Sequence, residues 1–344
     1  MPRKDTVTTS ELTEQAEPEL IQGPRSLEPQ HALLSDMNPP FRAIFYPLGY
    51  AVEIITNNSE VLEAANESFG HMSLLRESAV LQVRVGVSEG GSYECPPEPT
   101  RREYNHLYSL VANADNQALL DFKMCTAFVW LQQAAVKNRL YLRYNFLEKV
   151  VYLLLGASVV TDLHAACVGK NGKGILICGD SGAGKSTLSY ACARSGWTYT
   201  SDDTSYLINE SDVARVIGHS HRVRFRPAAK ALFPELRHLE PTPRMEGKPS
   251  IEVPICTLPV RAATMEAVIH SVVYLNRFPA STGRLVRLAE GTATERMGNG
   301  LYSSGEIRAK HEQILRVFST IPTYELQYCR LEDAIHELDL LVHG

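Results

Sequence analysis

The chain has 344 residues, more than one small core uses, so two folded units plus a tail are expected. Hydrophobic residues make up 44% and charged residues 21%, the balance of a soluble globular protein. The formal net charge is −5 and no long basic run occurs, which argues against a general nucleic-acid surface.

No apolar run reaches the roughly 18 residues that a membrane-spanning helix needs. The longest, "VVYLLLGASVV" (Val150–Val160), suits a buried helix better. The N-terminus is polar and acidic, without a charged-then-apolar secretory pattern. Seven cysteines are scattered with no CxxC spacing, and Cys167, Cys178 and Cys192 fall in apolar stretches. They read as reduced core thiols of a cytoplasmic protein rather than disulfides or metal ligands.

Residues 1–40 are polar and rich in Glu, Ser, Thr and Pro, so a disordered tail is expected. Order should begin near Phe41. "YAVEIITNN" predicts a strand ending in a turn. "SEVLEAANESFGHM" predicts a helix capped by Ser59, with Val61, Leu62, Ala65 and Phe69 on its core face. "VLQVRVGV" alternates Leu81, Val83, Val85 and Val87 on one strand face. "YNHLYSLVANADNQALLDFK" predicts two strands around a polar turn at Asn113–Asn116. Residues 41–140 thus form a small α/β N-terminal domain, in which no chemistry is evident. The second domain, 141–344, starts with the apolar helix Asn145–Ala157, capped by Asn145 and burying Phe146, Val150, Leu153 and Leu154. At the far end, two amphipathic helices flank the strand "TYELQYC".

The run Gly179, Asp180, Ser181, Gly182, Ala183, Gly184, Lys185, Ser186 fits G-x-x-x-x-G-K-[ST]. "ILIC" before it reads as a buried strand. "STLSYACARSG" after it, from Ser186 and Thr187, reads as a helix with Leu188, Ala191 and Cys192 on one face. In strand–loop–helix context the glycines turn successive N–H groups around phosphate oxygens, and the helix N-terminus adds positive charge. Lys185 would reach the β- and γ-phosphates of ATP, and the Ser186 hydroxyl would bind Mg²⁺.

The strand "WTYTS" then ends at Asp202 and Asp203. Ligands of open α/β sheets sit beyond the carboxyl ends of parallel strands, so this pair should lie near the loop. A carboxylate there holds Mg²⁺, a role for Asp203 with Ser186, or accepts the proton of an attacking hydroxyl, a role open to either aspartate. A plain Asp-Asp turn is the competing reading.

Asn171-Gly172 lies between two apolar runs, the pattern of a type I′ hairpin. With a two-residue loop, paired residue numbers sum to 343, so His164 should face Gly179. There it either tunes the catalytic carboxylate or simply packs at a strand end.

Together, "LHAACV", "GILICGDSGAGKST" and "SDD" resemble the C-terminal catalytic domain of HPr kinase/phosphorylase. His164, Gly179, Lys185, Ser186, Asp202 and Asp203 fall on that family's motif positions. The resemblance implies an α/β P-loop kinase domain of the HPr kinase/PEP carboxykinase type. It implies ATP and Mg²⁺ as cofactors, one aspartate as base and His164 assisting it, and it suggests a homo-oligomer as the assembly. Two departures stand. Thr187 replaces the family's Glu, and "KPSIEVPICTLP" keeps Glu252 but lacks the later glycine signature tied to the reverse reaction. The N-terminal domain resembles nothing in the bacterial regulator, so the acceptor is left as a protein, peptide or small molecule, with no nucleic acid or membrane partner.

Weaker candidates remain. Arg222, Arg224 and Arg226 share a strand face that binds phosphate or is merely solvated. His219 and His221 lack acidic or Cys partners at metal-binding spacing. Lys248 lies in a Gly/Pro-bounded loop, either mobile toward the phosphates or a plain surface lysine. The leading expectation is an ATP-dependent kinase. A nucleotide-hydrolysing regulatory module is the alternative, and carboxykinase-like chemistry a third.

Overall fold

Two β-sheets and the helices between them carry the structure. The computed structural model describes residues 39–90, 94–241, 249–278, 282–301 and 303–343. Residues 1–38 of the expected tail, and Lys248, lie outside the described residues.

The first sheet takes its strands from the first third of the chain: β1 (Phe41–Phe45), β2 (Val52–Thr56), β3 (Leu81–Ser88), β4 (Thr100–Tyr104), β5 (Leu107–Asn113), β6 (Asn116–Asp121) and β7 (Thr126–Gln132). Their order is β1-β2-β3-β7-β6-β5-β4. Strand β3 alternates as its pattern dictates, with Leu81, Val83, Val85 and Val87 buried. Helix α1 (Ser59–Phe69) buries Val61, Ala64, Ala65 and Phe69. Its cap is Asn58, not Ser59. The Asn58 side chain accepts from the Glu60 N–H at 2.9 Å, which places Ser59 inside the first turn.

Helices α2 (Gln133–Lys137), α3 (Arg139–Tyr141) and α4 (Lys149–Ser158) follow, with a π-helical segment at Leu142–Glu148 between the last two. Asn145 is therefore no cap. It is buried in the middle of a continuing helix, and the capping side chain of this stretch is Asn138, which accepts from the Tyr141 N–H at 3.2 Å. Tyr141, Phe146, Val150 and Leu154 join the first sheet's core, which also takes in Val160, Tyr206 and Ile217. The chain from Pro39 onward clusters as one unit.

The second sheet begins with β8 (Val160–Leu163), β9 (Ala165–Lys170), β10 (Lys173–Cys178), β11 (Thr198–Ser201), β12 (Ser205–Ile208) and β13 (Arg215–Gly218). Helix α5 (Lys185–Arg194) links β10 to β11. A two-stranded ribbon, β14 (Arg222–Phe225) with β15 (Ile251–Pro254), leaves the sheet. The chain returns through β16 (Ala262–Ala263), β17 (Glu266–Arg277), β18 (Arg284–Arg287) and β19 (Thr323–Tyr328). Helices α6 (Thr292–Asn299) and α7 (Gly305–Ile314) precede β19, and α8 (Leu331–His343) closes the described chain.

Strand β17 lies between β10 and β19 and runs parallel to both. Strand β9 is antiparallel to both β10 and β11, so β11 also runs with β10. The carboxyl ends of β10, β11, β17 and β19 therefore meet at one edge, and β9 begins there. Helix α5 is held under this edge by Leu188 and Cys192, which pack with Ile175, Ile177, Trp197 and Leu338. A fully buried leucine of this kind contributes roughly 1.5–3 kcal/mol.

Three histidines meet beside the ribbon. The His71 and His221 rings lie 3.6 Å apart, and His219 stands edge-on to Tyr152 at 5.3 Å and Tyr206 at 5.6 Å. Burial pushes all three below the usual imidazole range, the positive Arg222 adds to it, and His221 is held down to about 3. Below pH 6.5 the unfolded chain gains protons at these sites while the folded protein does not, so stability falls with acidification. The His219→Phe protein is expected to lose less thermal stability between pH 7 and pH 5 than the parent. An equal or larger loss would overturn that account.

Candidate functional site

The Asn171-Gly172 turn sets the register of β9 against β10. Asn171 and Gly172 have φ of 53° and 75°, the positive values a type I′ turn requires. Lys170 pairs with Lys173 and Ala165 with Cys178, which carries His164 to the start of the Gly179 loop. That loop leaves β10 and enters α5. Gly179, Gly182 and Gly184 have φ of 154°, 89° and 106°. A Cβ on Gly179 would come within 3.0 Å of the Ala183 Cβ. The N-cap of α5 is Gly184, which has no side chain to cap the first N–H groups.

Lys185, the first residue of α5, is only 5% exposed. Its Nζ donates to the Gly179 carbonyl at 2.8 Å and the Asp180 carbonyl at 3.2 Å, and lies 2.9 Å from His164 Nε2. An ammonium only donates, so Nε2 accepts and the imidazole proton sits on Nδ1. Nδ1 lies 3.6 Å from Asp203 Oδ1. Burial, then the Lys185 charge, hold His164 below the usual imidazole range, and burial likewise lowers Lys185. The result is a neutral imidazole between an ammonium and a carboxylate.

The two aspartates at the end of β11 differ in environment. Asp202 is buried, and its Oδ2 accepts from the Arg224 N–H at 2.9 Å. Burial raises its pKa to about 6, against the lowering effect of that hydrogen bond, and the Asp203 charge adds to the rise. The Asp203 side chain is 58% exposed. Ser186 Oγ donates to the Asp202 carbonyl at 3.3 Å.

A cleft of about 640 Å³ opens along the loop. Ser181, Gly182, Gly184, Lys185, Ser186 and Thr187 form one wall, together with Asp202 and Asp203. Phe225, Ala229, Leu232 and Leu331 give it an apolar end, while Arg226, Arg277 and Arg330 bring positive charge. Gly179, Asp180 and His164 line a second, adjoining cleft instead. Ala183 lines neither cleft and supports the loop through its N–H, which donates to the Asp180 carbonyl at 3.0 Å. Reading the sequence missed Arg277, Tyr328 and Arg330. They come from the ends of β17 and β19, and the apolar run "AVIHSVVYLNR" ending in an arginine was the available signal.

The arginine ladder divides. Arg224 and Arg226 line the cleft along the loop, while Arg222 and Arg224 share a face and are paired with carboxylates. Arg222 Nη1 lies 2.8 Å and Arg224 Nε 2.7 Å from Glu252, and Arg222 also reaches Glu148 at 3.7 Å. Burial pushes Glu252 up, but the two guanidinium groups outweigh it and hold it below the usual carboxylate range.

The donors beside Ser186 fit a hard cation. The Ser186 hydroxyl and the Asp202 and Asp203 carboxylates are all oxygen ligands on one cleft wall. Among the described residues, no group of three or more His, Cys, Asp or Glu side chains forms a dedicated metal cluster. A few oxygen donors of this kind suit Mg²⁺, which keeps waters and shares phosphate oxygens. Among the same residues, no helix is long and apolar enough to cross a membrane.

The raised Asp202 pKa has a thermodynamic sign. Its favourable contribution is present below about pH 3.8 and is lost as pH rises through about 6. Asp202→Asn keeps an oxygen for the Arg224 N–H and removes the buried charge. The variant without nucleotide is expected to be more stable than the parent at pH 8, by roughly 1–3 kcal/mol, with the gap closing near pH 4. Denaturant melts at both pH values measure this, and a gap that does not depend on pH would refute it.

No family model matches the chain, and no curated protein matches it. Among solved structures, the Hpr(Ser) kinase/phosphatase from Coxiella burnetii aligns with 54% of this chain and 99% of its own. The two are 14% identical, with a TM-score of 0.30. The functional reading rests on the geometry of this chain's own residues.

Proposed function

We propose that the protein is an ATP-dependent phosphotransferase acting on a hydroxyl group of a protein, peptide or small molecule. The observation that carries this reading is the line from the Lys185 ammonium through His164 to the Asp203 carboxylate, at the sheet edge where the glycine loop begins. A nucleotide-binding loop needs the lysine, but hydrolysis alone gives no reason for a neutral imidazole set between that lysine and an exposed carboxylate.

In this reading the loop N–H groups and the α5 N-terminus bind the phosphates, and the apolar end at Phe225, Ala229 and Leu232 receives the base. Lys185 exchanges its two loop carbonyls for phosphate oxygens. Asp203 accepts the proton of the acceptor hydroxyl, and the His164 Nδ1–H orients its carboxylate. Ser186 and Asp202 hold Mg²⁺, which when bound screens charge on the β- and γ-phosphates. This assignment moves the metal role from Asp203 to Asp202, because Asp202 is the aspartate whose backbone Ser186 already contacts.

The test uses ATP labelled in the γ-phosphate, Mg²⁺, and a lysate and metabolite pool from the source cells. Label is expected in an acceptor. Asp203→Asn should bind nucleotide yet lose about 10²–10⁴-fold in transfer rate. Lys185→Ala should lose nucleotide binding. Free phosphate alone, at a rate unaffected by Asp203→Asn, would instead support a nucleotide-hydrolysing regulatory module.

A further inference from the structure

The second cleft encloses about 510 Å³ and shares no lining residue with the nucleotide cleft. The two meet at one seam. His164 lines the second cleft, while its contacts Lys185 and Asp203 line the first. The seam lies at the Gly179–Asp180 end of the loop, which Lys185 Nζ reaches, and the apolar base end belongs wholly to the first cleft. A nucleotide laid along the first cleft with its terminal phosphate at Lys185 presents that phosphate to the second.

Resting on the phosphotransferase reading, we propose that the second cleft is the acceptor site, and that it takes a small hydroxyl compound that is neutral or positively charged, such as a polyol or an amino alcohol. Its volume falls within the roughly 300–1,000 Å³ range of small-molecule sites. Its charge selects the class. Asp162, Asp180 and Glu325 line it against a single cation, Arg296. Arg296 stacks 4.6 Å over the Tyr274 ring, and its charge already acts on Glu325. Neither Asp162 nor Asp180 forms a salt bridge among the described residues, and although the Lys185 charge acts on Asp180, the cleft lining holds more acidic than basic side chains, which disfavours carboxylate or phosphate groups on an acceptor. Tyr274 lines the same cleft, and its buried hydroxyl has no hydrogen-bond partner among the described residues, a polar group left to be satisfied there.

The transfer balances. The acceptor oxygen forms a bond to the γ-phosphorus. The bond from that phosphorus to the β,γ-bridging oxygen breaks, and ADP leaves with its electron pair. The hydroxyl proton passes to the Asp203 carboxylate.

The test supplies γ-labelled ATP and Mg²⁺ with glycerol and a hexose as neutral acceptors, ethanolamine and choline as cationic ones, and glycerate and glycerol phosphate as anionic ones. Nucleotide binding is measured on the same samples. Label is expected in neutral or cationic compounds. Asn299→Trp, an exposed position on the cleft wall, should abolish that labelling while nucleotide still binds. Asp162→Asn should raise KM for a cationic acceptor about tenfold relative to KM for a neutral one, and an equal change for both would count against the charge selection. Nucleotide binding without label in any of the six compounds, preference for the anionic pair, or full activity in Asn299→Trp would each overturn the acceptor assignment alone. Failure to bind nucleotide would overturn the phosphotransferase reading beneath it.

Discussion

Pairing across the Asn171–Gly172 turn sets where His164 lies, and through it the contacts of Lys185 and Asp203. A two-residue loop with both φ values positive permits one register, and a slip by one residue would turn the face of β9 over. In the observed register His164 arrives beside the glycine loop, between the carboxyl ends of β10 and β11. Lys185 then finds an imidazole acceptor as well as two carbonyls, and Asp203 finds the far side of the same ring. A neutral histidine is the physical outcome, because burial and the neighbouring ammonium both disfavour its protonation.

A second line of charges ties this edge to the first sheet's layer. Asp202 accepts from the Arg224 backbone, Arg224 pairs with Glu252, Glu252 with Arg222, and Arg222 with Glu148. Glu148 in turn accepts from Ser68 of α1 at 2.9 Å. Arg222 is 14% exposed, so its charge is well shielded from water. Removing one partner of such a buried pair costs about 3–5 kcal/mol, because the other charge stays desolvated. These arginines hold the ribbon against the body and set the position of the N–H that fixes Asp202.

Local signals were legible where local physics decides them. The alternation of β3, the Asn-Gly turn and the glycine pattern between a buried strand and a helix each follow from a few neighbouring residues. Caps were less so. Asn58 and Ser59 are both good caps, and only the path of the entering chain selects Asn58. Asn145 looked like a helix start because an apolar run follows it, yet the helical turns before it continue through a π-helical segment. The arginine ladder was read as a face without its partners, since Glu148 and Glu252 lie 74 and 30 residues from Arg222.

The sequence by itself determined the strand–loop–helix, the placement of His164 against Gly179, and the aspartates at a strand end. Each depends on spacing within roughly forty residues, where turn geometry and side-chain periodicity leave little freedom. Tertiary structure alone decided that Asp202 is buried and Asp203 exposed, that Arg277 and Arg330 join the cleft, and that a second cleft meets the first at His164. Those outcomes depend on β17 lying beside β10 and β19 beside β17, a parallel arrangement set by long crossovers and by core packing summed over the whole sheet.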